Sequence, residues 1–249
     1  MLLLALLVPA LALASRGVLL GAPTPLQTAL DAAIASGAPS FSLTPNALYT
    51  QGASSLVITA RSFSLLGNNA TLSFAPGYGV LLDACLDVSV SALTVAFSPA
   101  CFTQGTLAAH NASARTFDVQ LDPGFPEPTA DYFTTTVETK LQFFDGATRL
   151  RLPGQSGSCI VSVLGSPSPG VWRVGASRGF GCTLPSASGG ATLAVISPRV
   201  HAVGYQIPDG YRGSAWWTFN STRVTARDIV LLGSGNFAFT EWGGGGGHV

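Results

Sequence analysis

A two-strand pattern recurs along the sequence and limits the fold more than any other feature. SFSLLGNNATLSF, which starts at Ser62, reads as a strand, a short turn and a second strand. DVSVSALTVAF, which starts at Asp87, has the same order, and Phe63 aligns with Val88. A third copy, RVTARDIVLLGS, starts at Arg223. Repeats of roughly 20–30 residues are typical of solenoids, because one coil cannot bury its inward side chains alone.

One helix precedes the repeats, in TPLQTALDAAIASGAP. Thr24 can cap its N-terminus, Pro25 suits the first turn and Gly37 ends it. Apolar residues recur at helical spacing between them, namely Leu26, Ala29, Leu30, Ala33 and Ile34. The end of a solenoid exposes unpaired strand edges, so we expect this helix to be the N-terminal cap.

A long insertion separates the second and third copies, since Val88 and its counterpart Val224 lie much further apart than one coil. Between about Phe102 and Val203 the chain has short alternating runs joined by Pro/Gly-rich turns. This pattern predicts a small antiparallel barrel or sandwich beside the solenoid. The predicted fold is all-β, with the segments 1–14 (signal peptide), 15–101 (cap and first coils), 102–203 (inserted module) and 204–249 (return to the coils).

The chain opens with MLLLALLVPALALASRG, which is typical of a secretory signal. Its apolar run from Leu2 to Ala14 is too short to span a bilayer, which takes about 20 residues. Ala12 and Ala14 offer a cleavage site before Ser15. We therefore predict a secreted or cell-surface protein with no membrane attachment after cleavage, an uncleaved anchor being the alternative.

The sparse charge makes nucleic-acid binding a poor prediction. Only 10% of residues are charged, Lys+Arg equals Asp+Glu at 12 each, and Lys140 is the sole lysine. No basic stripe is available to neutralise phosphates. The sequence also carries no pattern that calls for a cofactor.

Three glycosylation sequons agree with export. Their asparagines are Asn69, Asn111 and Asn220. The four cysteines have no metal-ligand spacing. Local disulfides would join Cys85 to Cys101 and Cys159 to Cys182, but four cysteines allow three pairings, and four buried thiols are the alternative.

Several segments resemble secreted right-handed parallel β-helix proteins of the pectin-lyase-like superfamily. They are LQTALDAAI followed by FSLTP, LLGNNATLSF, FTQGTL and VQLDPGFP. They are most similar to the branch with the α-1,3-galactosidases, in which a barrel-like module interrupts the early coils. The closing text, from SPRVHAVGYQIPDG to FTEWGGGGGH, resembles that branch's return to the solenoid.

This resemblance implies that further coils follow the glycine-rich turn after FTEW. The acids linked to catalysis in the galactosidase branch lie on such later coils, and none has a counterpart in this sequence. We therefore expect an N-terminal portion of a longer protein. The chain as given is expected to be inactive and to self-associate through its open C-terminal coil.

The candidate catalytic acids are few. A glycosidase needs two carboxylates on either side of the scissile bond, and the late coils offer Asp209, Asp228 and Glu241. Asp83 and Asp87 form an earlier pair. In solenoids, such acids more often face the solvent or accept hydrogen bonds from backbone amides in turns.

Aromatic side chains in the last third suggest contact with sugar rings. Trp217 and Trp242 are the preferred residues, the alternative being that AWWTF is a strand with one Trp inward and one outward. His248 and Glu241 flank five glycines, but they lack a third ligand, so no metal site is predicted.

A secreted glycan-handling protein, a glycoside hydrolase in its longer form, is the function these features favour. A non-catalytic carbohydrate-binding or adhesion protein is the alternative, because a solenoid offers long surfaces without requiring chemistry. A polysaccharide lyase has less support, because its basic catalytic residue and calcium-binding acids are not evident.

Overall fold

The computed structural model describes residues 23–76, 78–129, 138–152, 159–177, 192–199, 215–233 and 239–242. Within them the chain forms one helix, two parallel sheets and one closed antiparallel barrel, so the predicted all-β class is confirmed. In this part of the chain, no helix has the length and apolarity that crossing a membrane needs.

The first parallel sheet, called sheet A, has the strand order β1-β4-β6-β14, and β2 pairs with the second half of β4. Its strands are β1 (Ser40–Ser42), β2 (Leu48–Gly52), β4 (Arg61–Phe74), β6 (Leu86–Phe97) and β14 (Thr222–Leu232). The second, called sheet B, has the order β15-β13-β5-β3. Its strands are β3 (Leu56–Ile58), β5 (Val80–Asp83), β13 (Trp216–Phe219) and β15 (Phe239–Trp242).

The predicted repeat is confirmed as strand pairing in sheet A. Phe63 pairs with Val88, and Val88 pairs with Val224, all in parallel register. Sheet B follows the same spacing, because Val57 pairs with Leu81 and Leu81 pairs with Trp217. Each repeat thus supplies one strand to each sheet, and the long insertion leaves the register intact.

The long strands of sheet A bend at their centre, where residues adopt left-handed backbone angles. Asp228 has φ 56° and Ala92, which faces this bend in the next strand, has φ 52°. In β4 the bend contains Gly67, Asn68 and Asn69. Gly67 is required because a Cβ there would lie 2.4 Å from the carbonyl oxygen of Ala92. Each bend lets one strand line two sides of the core.

The core between the sheets is built from equivalent residues of successive repeats. Phe63, Val88 and Val224 are all buried, as are Leu65 and Val90 of the first two repeats. Burial alternates along each half of the bent strands β4 and β6, as expected for a sheet with one face in the core. All five residues belong to one buried apolar cluster.

Helix α1 (Pro25–Ala35) covers one edge of sheet B. Thr24 caps it as predicted, accepting a 3.1 Å hydrogen bond from the Gln27 amide. The Gln27 side chain pairs with the edge of β3: its Nε2 donates to the Val57 carbonyl and its Oε1 accepts from the Val57 amide. Leu26 and Leu30 are buried in the core of the sheets. The helix therefore satisfies edge groups that would otherwise face water.

The inserted module is a closed barrel rather than a sandwich, with strand order β10-β11-β8-β7-β12-β9. Its strands are β7 (Thr103–Asn111), β8 (Thr116–Leu121), β9 (Glu138–Asp145), β10 (Cys159–Ser168), β11 (Val171–Ala176) and β12 (Thr192–Arg199). It has a separate core, in which the rings of Phe117 and Phe143 lie 5.1 Å apart.

The predicted disulfide between Cys85 and Cys101 is wrong. Both residues are buried and are not joined to each other. The Cys85 thiol donates to the carbonyl of Ile58 at 3.1 Å, and burial raises its pKa. Because this hydrogen bond satisfies the buried thiol, the site needs no crosslink. The pairing of Cys159 with Cys182 stays a prediction, because Cys182 lies outside the described residues.

Candidate functional site

The outward face of sheet B carries aromatic side chains on β13. Trp216 and Thr218 are buried, whereas Trp217 and Phe219 are half-buried. Strand alternation explains this, because successive side chains point to opposite faces. The Trp216 indole donates to the Thr218 hydroxyl at 3.3 Å, so the inward pair satisfies its own polar groups. AWWTF therefore has one Trp inward and one outward, as the alternative interpretation expected.

Strand β5 places Leu81 and Asp83 beside these aromatics. Leu81 pairs with Trp217 and Asp83 pairs with Phe219. Asp83 is half-buried, whereas Leu81 is only 6% exposed. An apolar ring surface thus adjoins a carboxylate on one face of the sheet. Apolar surface with a few placed polar groups is the usual composition of a ligand site.

Trp242 and Glu241 belong to β15, where only the backbone is described. Trp242 pairs with Phe219, so its strand position lies in the row that contains Asp83. Glu241 pairs with Thr218, a buried position of β13. Asp83 therefore lies in the row of Phe219 and Glu241 in the neighbouring row of Thr218. The strand pairing does not place the two acids side by side.

Asp228 and Asp209 are not brought into a described pair either. Asp228 is exposed at the bend of β14, facing Ala92 rather than another acid. Asp209 lies outside the described residues, as does His248. The three preferred catalytic candidates consequently stay predictions without geometric support.

Asp87 forms an ion pair that the sequence reasoning missed. It accepts a bidentate hydrogen bond from the Arg223 guanidinium, in which Nη2 lies 2.6 Å from Oδ2. That hydrogen bonding holds the pKa of Asp87 below its usual value. Both residues have left-handed backbone angles at the corner where their strands begin. The signal was present in the repeat, because aligning Val88 with Val224 also aligns Asp87 with Arg223.

Two further acids have lowered pKa values. Arg173 donates to both oxygens of Asp118 at 2.7 Å and lowers its pKa through that hydrogen bonding. The amide of Thr148 is the main cause of the lowered pKa of Asp145. A general acid in a glycosidase needs the opposite shift, since it must carry a proton near neutral pH. These three carboxylates are therefore unsuited to the general-acid role, which in a pair of Asp83 and Asp87 would fall to Asp83.

A column of hydroxyls lies on the outward face of sheet A. Ser64 pairs with Ser89, and Ser89 pairs with Thr225. The Ser64 and Ser89 hydroxyl oxygens lie 2.7 Å apart. Within the described ranges, no cluster of three or more His, Cys, Asp or Glu residues is arranged to hold a metal ion.

The three sequon asparagines are all exposed. Asn69 lies at the bend of β4, Asn111 at the hairpin between β7 and β8, and Asn220 after β13. The Asn111 side-chain oxygen accepts from the Ala114 amide at 2.9 Å and so orders its turn. All three positions leave room for a modification, which itself stays a prediction.

Comparison with known proteins gives no family for this chain. No protein-family model matches it, and no curated protein matches it as a relative.

Proposed function

We propose that this chain is the glycan-binding part of a secreted right-handed parallel β-helix protein. In this proposal sheets A and B are two sides of one solenoid, and each coil supplies a strand to both. The outward face of sheet B, around Trp217, receives a polysaccharide.

The handedness is supported by a general rule. Connections between parallel strands of one sheet are right-handed in about 98% of cases. The chain makes such a connection each time it leaves sheet B, passes through sheet A and returns, as between β3 and β5. The repeat register and the capping helix suit the same architecture.

The observation that carries the glycan proposal is the patch of Trp217, Phe219 and Asp83. Sugars present C–H faces that pack on flat aromatic rings and hydroxyls that donate to carboxylates. Phe219 and Asp83 are register neighbours, so both groups lie within the width of a few sugar units. Their partial burial fixes the side chains before binding, which lowers the entropy cost of association.

Binding is favoured over hydrolysis by the state of the described acids. The register does not place Asp83 and Glu241 side by side, and the carboxylates with lowered pKa values lack the raised pKa of a general acid. The glycoside hydrolase that the sequence favours becomes the second candidate here, and Asp209, Asp228 and Glu241 stay its weak candidate acids, which the resemblance does not supply.

Secretion and glycosylation belong to the same proposal. Exposure of Asn69, Asn111 and Asn220 supports it, since an attached glycan has to reach solvent. A Cys159–Cys182 crosslink inside the barrel module would fit an extracellular protein.

The test is binding to a panel of polysaccharides, including α-galactosides, measured by affinity electrophoresis and calorimetry. We expect Trp217→Ala to weaken binding by about tenfold or more, as for a buried aromatic anchor. Trp217→Phe keeps a ring and is expected to retain most of the affinity. Leu48→Ala, which removes an exposed apolar side chain from sheet A, is the matched control.

The proposal fails if no polysaccharide binds, or if Trp217→Ala binds as tightly as the parent chain. Activity on α-galactosides that is lost in Asp228→Asn would favour the glycosidase instead. Melting curves of each variant distinguish lost contact from lost fold.

A further inference from the structure

Two basic side chains lie close together at one end of the barrel, and we propose that they bind an oxyanion, which is the sulfate, phosphate or carboxylate group of a ligand. They are His110 of β7 and Arg115 of the hairpin between β7 and β8. Both are half-buried, so each keeps contact with solvent. Because both residues belong to the barrel, this site is separate from the glycan patch on sheet B.

A β-bulge in β7 turns His110 toward the barrel core. The register of β7 against β8 shifts between Leu107 and Ala109. One extra residue reverses the faces of the residues that follow it. His110 then lies opposite Phe117, which is 1% exposed and belongs to the barrel core. Directly opposite residues of an antiparallel pair share a face, so His110 lies over the end of this core.

Arg115 lies diagonally across from His110 in the same strand pair, at the end of the hairpin. Its carbonyl accepts a 2.8 Å hydrogen bond from the amide of Ala176, which packs against the barrel core. The turn before it is ordered by the Asn111 side chain, which accepts from the Ala114 amide. Diagonal neighbours are within reach of long side chains. The backbone therefore holds the two basic groups together before any ligand binds.

The Arg115 side chain has an unsatisfied donor. Its Nε is buried and has no hydrogen-bond partner in the part of the chain that the structure describes, which is unfavourable for a polar group. A guanidinium binds an oxyanion through two parallel N–H groups. Arg173 binds Asp118 in this way, through Nε and Nη2. An oxyanion on the same edge of Arg115 would supply the missing acceptor.

The charges at this end of the barrel also favour an anion. The rings of Phe117 and Phe143 are in contact, which puts the turn after β9 at the same end. This turn carries the exposed Arg149 and Arg151 and one acid, Asp145. The Asp145 Oδ1 accepts hydrogen bonds from two amides and one hydroxyl of its own turn. Among the described residues of this end, positive charge therefore predominates.

The first test follows the Nε–H signals of labelled arginines by NMR while sodium sulfate is added at constant ionic strength. We expect a saturable shift of the Arg115 signal. The Nε donors of Arg173 and Arg223 are already paired with Asp118 and Asp87, so their signals should hardly move. An Arg115 signal that does not shift, or an equal shift of all three signals, would overturn the proposal.

The second test uses variants and measures sulfate affinity by calorimetry. Arg115→Lys keeps the charge but loses the parallel donors, so it is expected to weaken binding about tenfold or more. His110→Ala is expected to weaken binding severalfold, whereas His110→Gln keeps an N–H donor and should retain most of the affinity. Arg151→Gln removes an exposed charge from the same end and is the matched control, with an expected change below about twofold.

Equal losses in Arg115→Lys and Arg151→Gln would mean that the barrel end attracts anions without a defined site, which would overturn the proposal. Melting curves identify any variant that fails to fold. In that case the NMR titration of the parent chain decides alone, since it needs no substitution.

The third test distinguishes a free ion from an anionic group on a polymer. Inorganic sulfate, dextran sulfate and uncharged dextran are compared on the parent chain and on Arg115→Lys. Binding of both sulfated probes that depends on Arg115 supports the proposal, and tighter binding of dextran sulfate than of the free ion indicates a polymer as the source. Binding of uncharged dextran that depends on Arg115 would mean that the site takes hydroxyls rather than an oxyanion, and would overturn the proposal.

Discussion

The parallel sheets and the barrel solve the problem of strand edges in different ways. The barrel closes on itself, so each of its six strands has two neighbours. The parallel stack does not close on itself: in its described part α1 covers β3 at one end, and β14 is the last strand of sheet A at the other. A closed module can therefore be inserted between two repeats without supplying a strand to either sheet.

The two regions also differ in how sequence determines contact. In the stack, equivalent residues of different repeats pair with each other, whether they belong to consecutive repeats or lie on either side of the insertion. In the barrel, β7 pairs with β8 across a short hairpin, but it also pairs with β12 far along the chain. The repeat therefore allows the long-range contacts of the stack to be predicted from the sequence. Those of the barrel depend on how its first and last strands meet.

The largest expected effect comes from a charge in the stack core. Val90 is fully buried, so Val90→Asp should destabilise the protein by several kcal/mol, on the order of 4, as an unpaired buried charge does. Ser91→Asp, one position along on the outward face, is the control and should stay near the parent stability. Urea denaturation with hydrogen exchange measures both variants. If the barrel strands of the Val90→Asp variant keep their amides protected from hydrogen exchange, the barrel folds separately from the stack.

Glycine substitutions compare close backbone contacts in the two regions. A Cβ at Gly67 would lie 2.4 Å from the Ala92 oxygen, and one at Gly105 would lie 2.0 Å from the Gln120 oxygen. Because backbone must move in both cases, G67A and G105A should each cost about 1–3 kcal/mol. Thermal melts provide the measurement, and G124A, where a Cβ meets open space but φ is positive, is the control for strain alone.

The smallest expected effects concern the two Arg–Asp pairs. The pKa values of Asp87 and Asp118 are lowered by Arg223 and Arg173. A carboxylate with a lowered folded pKa stabilises the protein above its unfolded pKa of about 3.9, and this contribution is lost as the pH falls through the folded value. Arg223→Gln should raise the pKa of Asp87 alone, and Arg173→Gln that of Asp118 alone, in an NMR carboxyl titration. A shift of both in either variant would contradict independent pairs.

The sequence predicted the stack well because its alternation and its repeat describe the same contacts. Phe63, Val88 and Val224 could be aligned from the sequence alone, and Thr24 and Gly37 marked the helix limits. The barrel was predicted only as barrel or sandwich, because alternation along a strand does not say whether the first and last strands meet. The Cys85–Cys101 disulfide failed because sequence proximity carries no information on how a buried thiol is satisfied.

The candidate site was less predictable for a related reason. The outward position of Trp217 followed from strand alternation, but its neighbour Asp83 becomes adjacent only through the parallel pairing of β5 with β13. The acids of the late repeats were chosen by composition alone, and composition does not define a face. A register error of one residue would move each of them to the other side of the sheet.

The parallel stack is tested most directly by whether Val88 and Val224 are neighbours in solution. With selectively labelled valine methyl groups, we expect strong nuclear Overhauser contacts between Val88 and Val224, and contacts from Val88 to the Phe63 ring. Contacts of Val224 with barrel residues such as Val119 or Val161, and none with Val88, would contradict the parallel stack across the insertion.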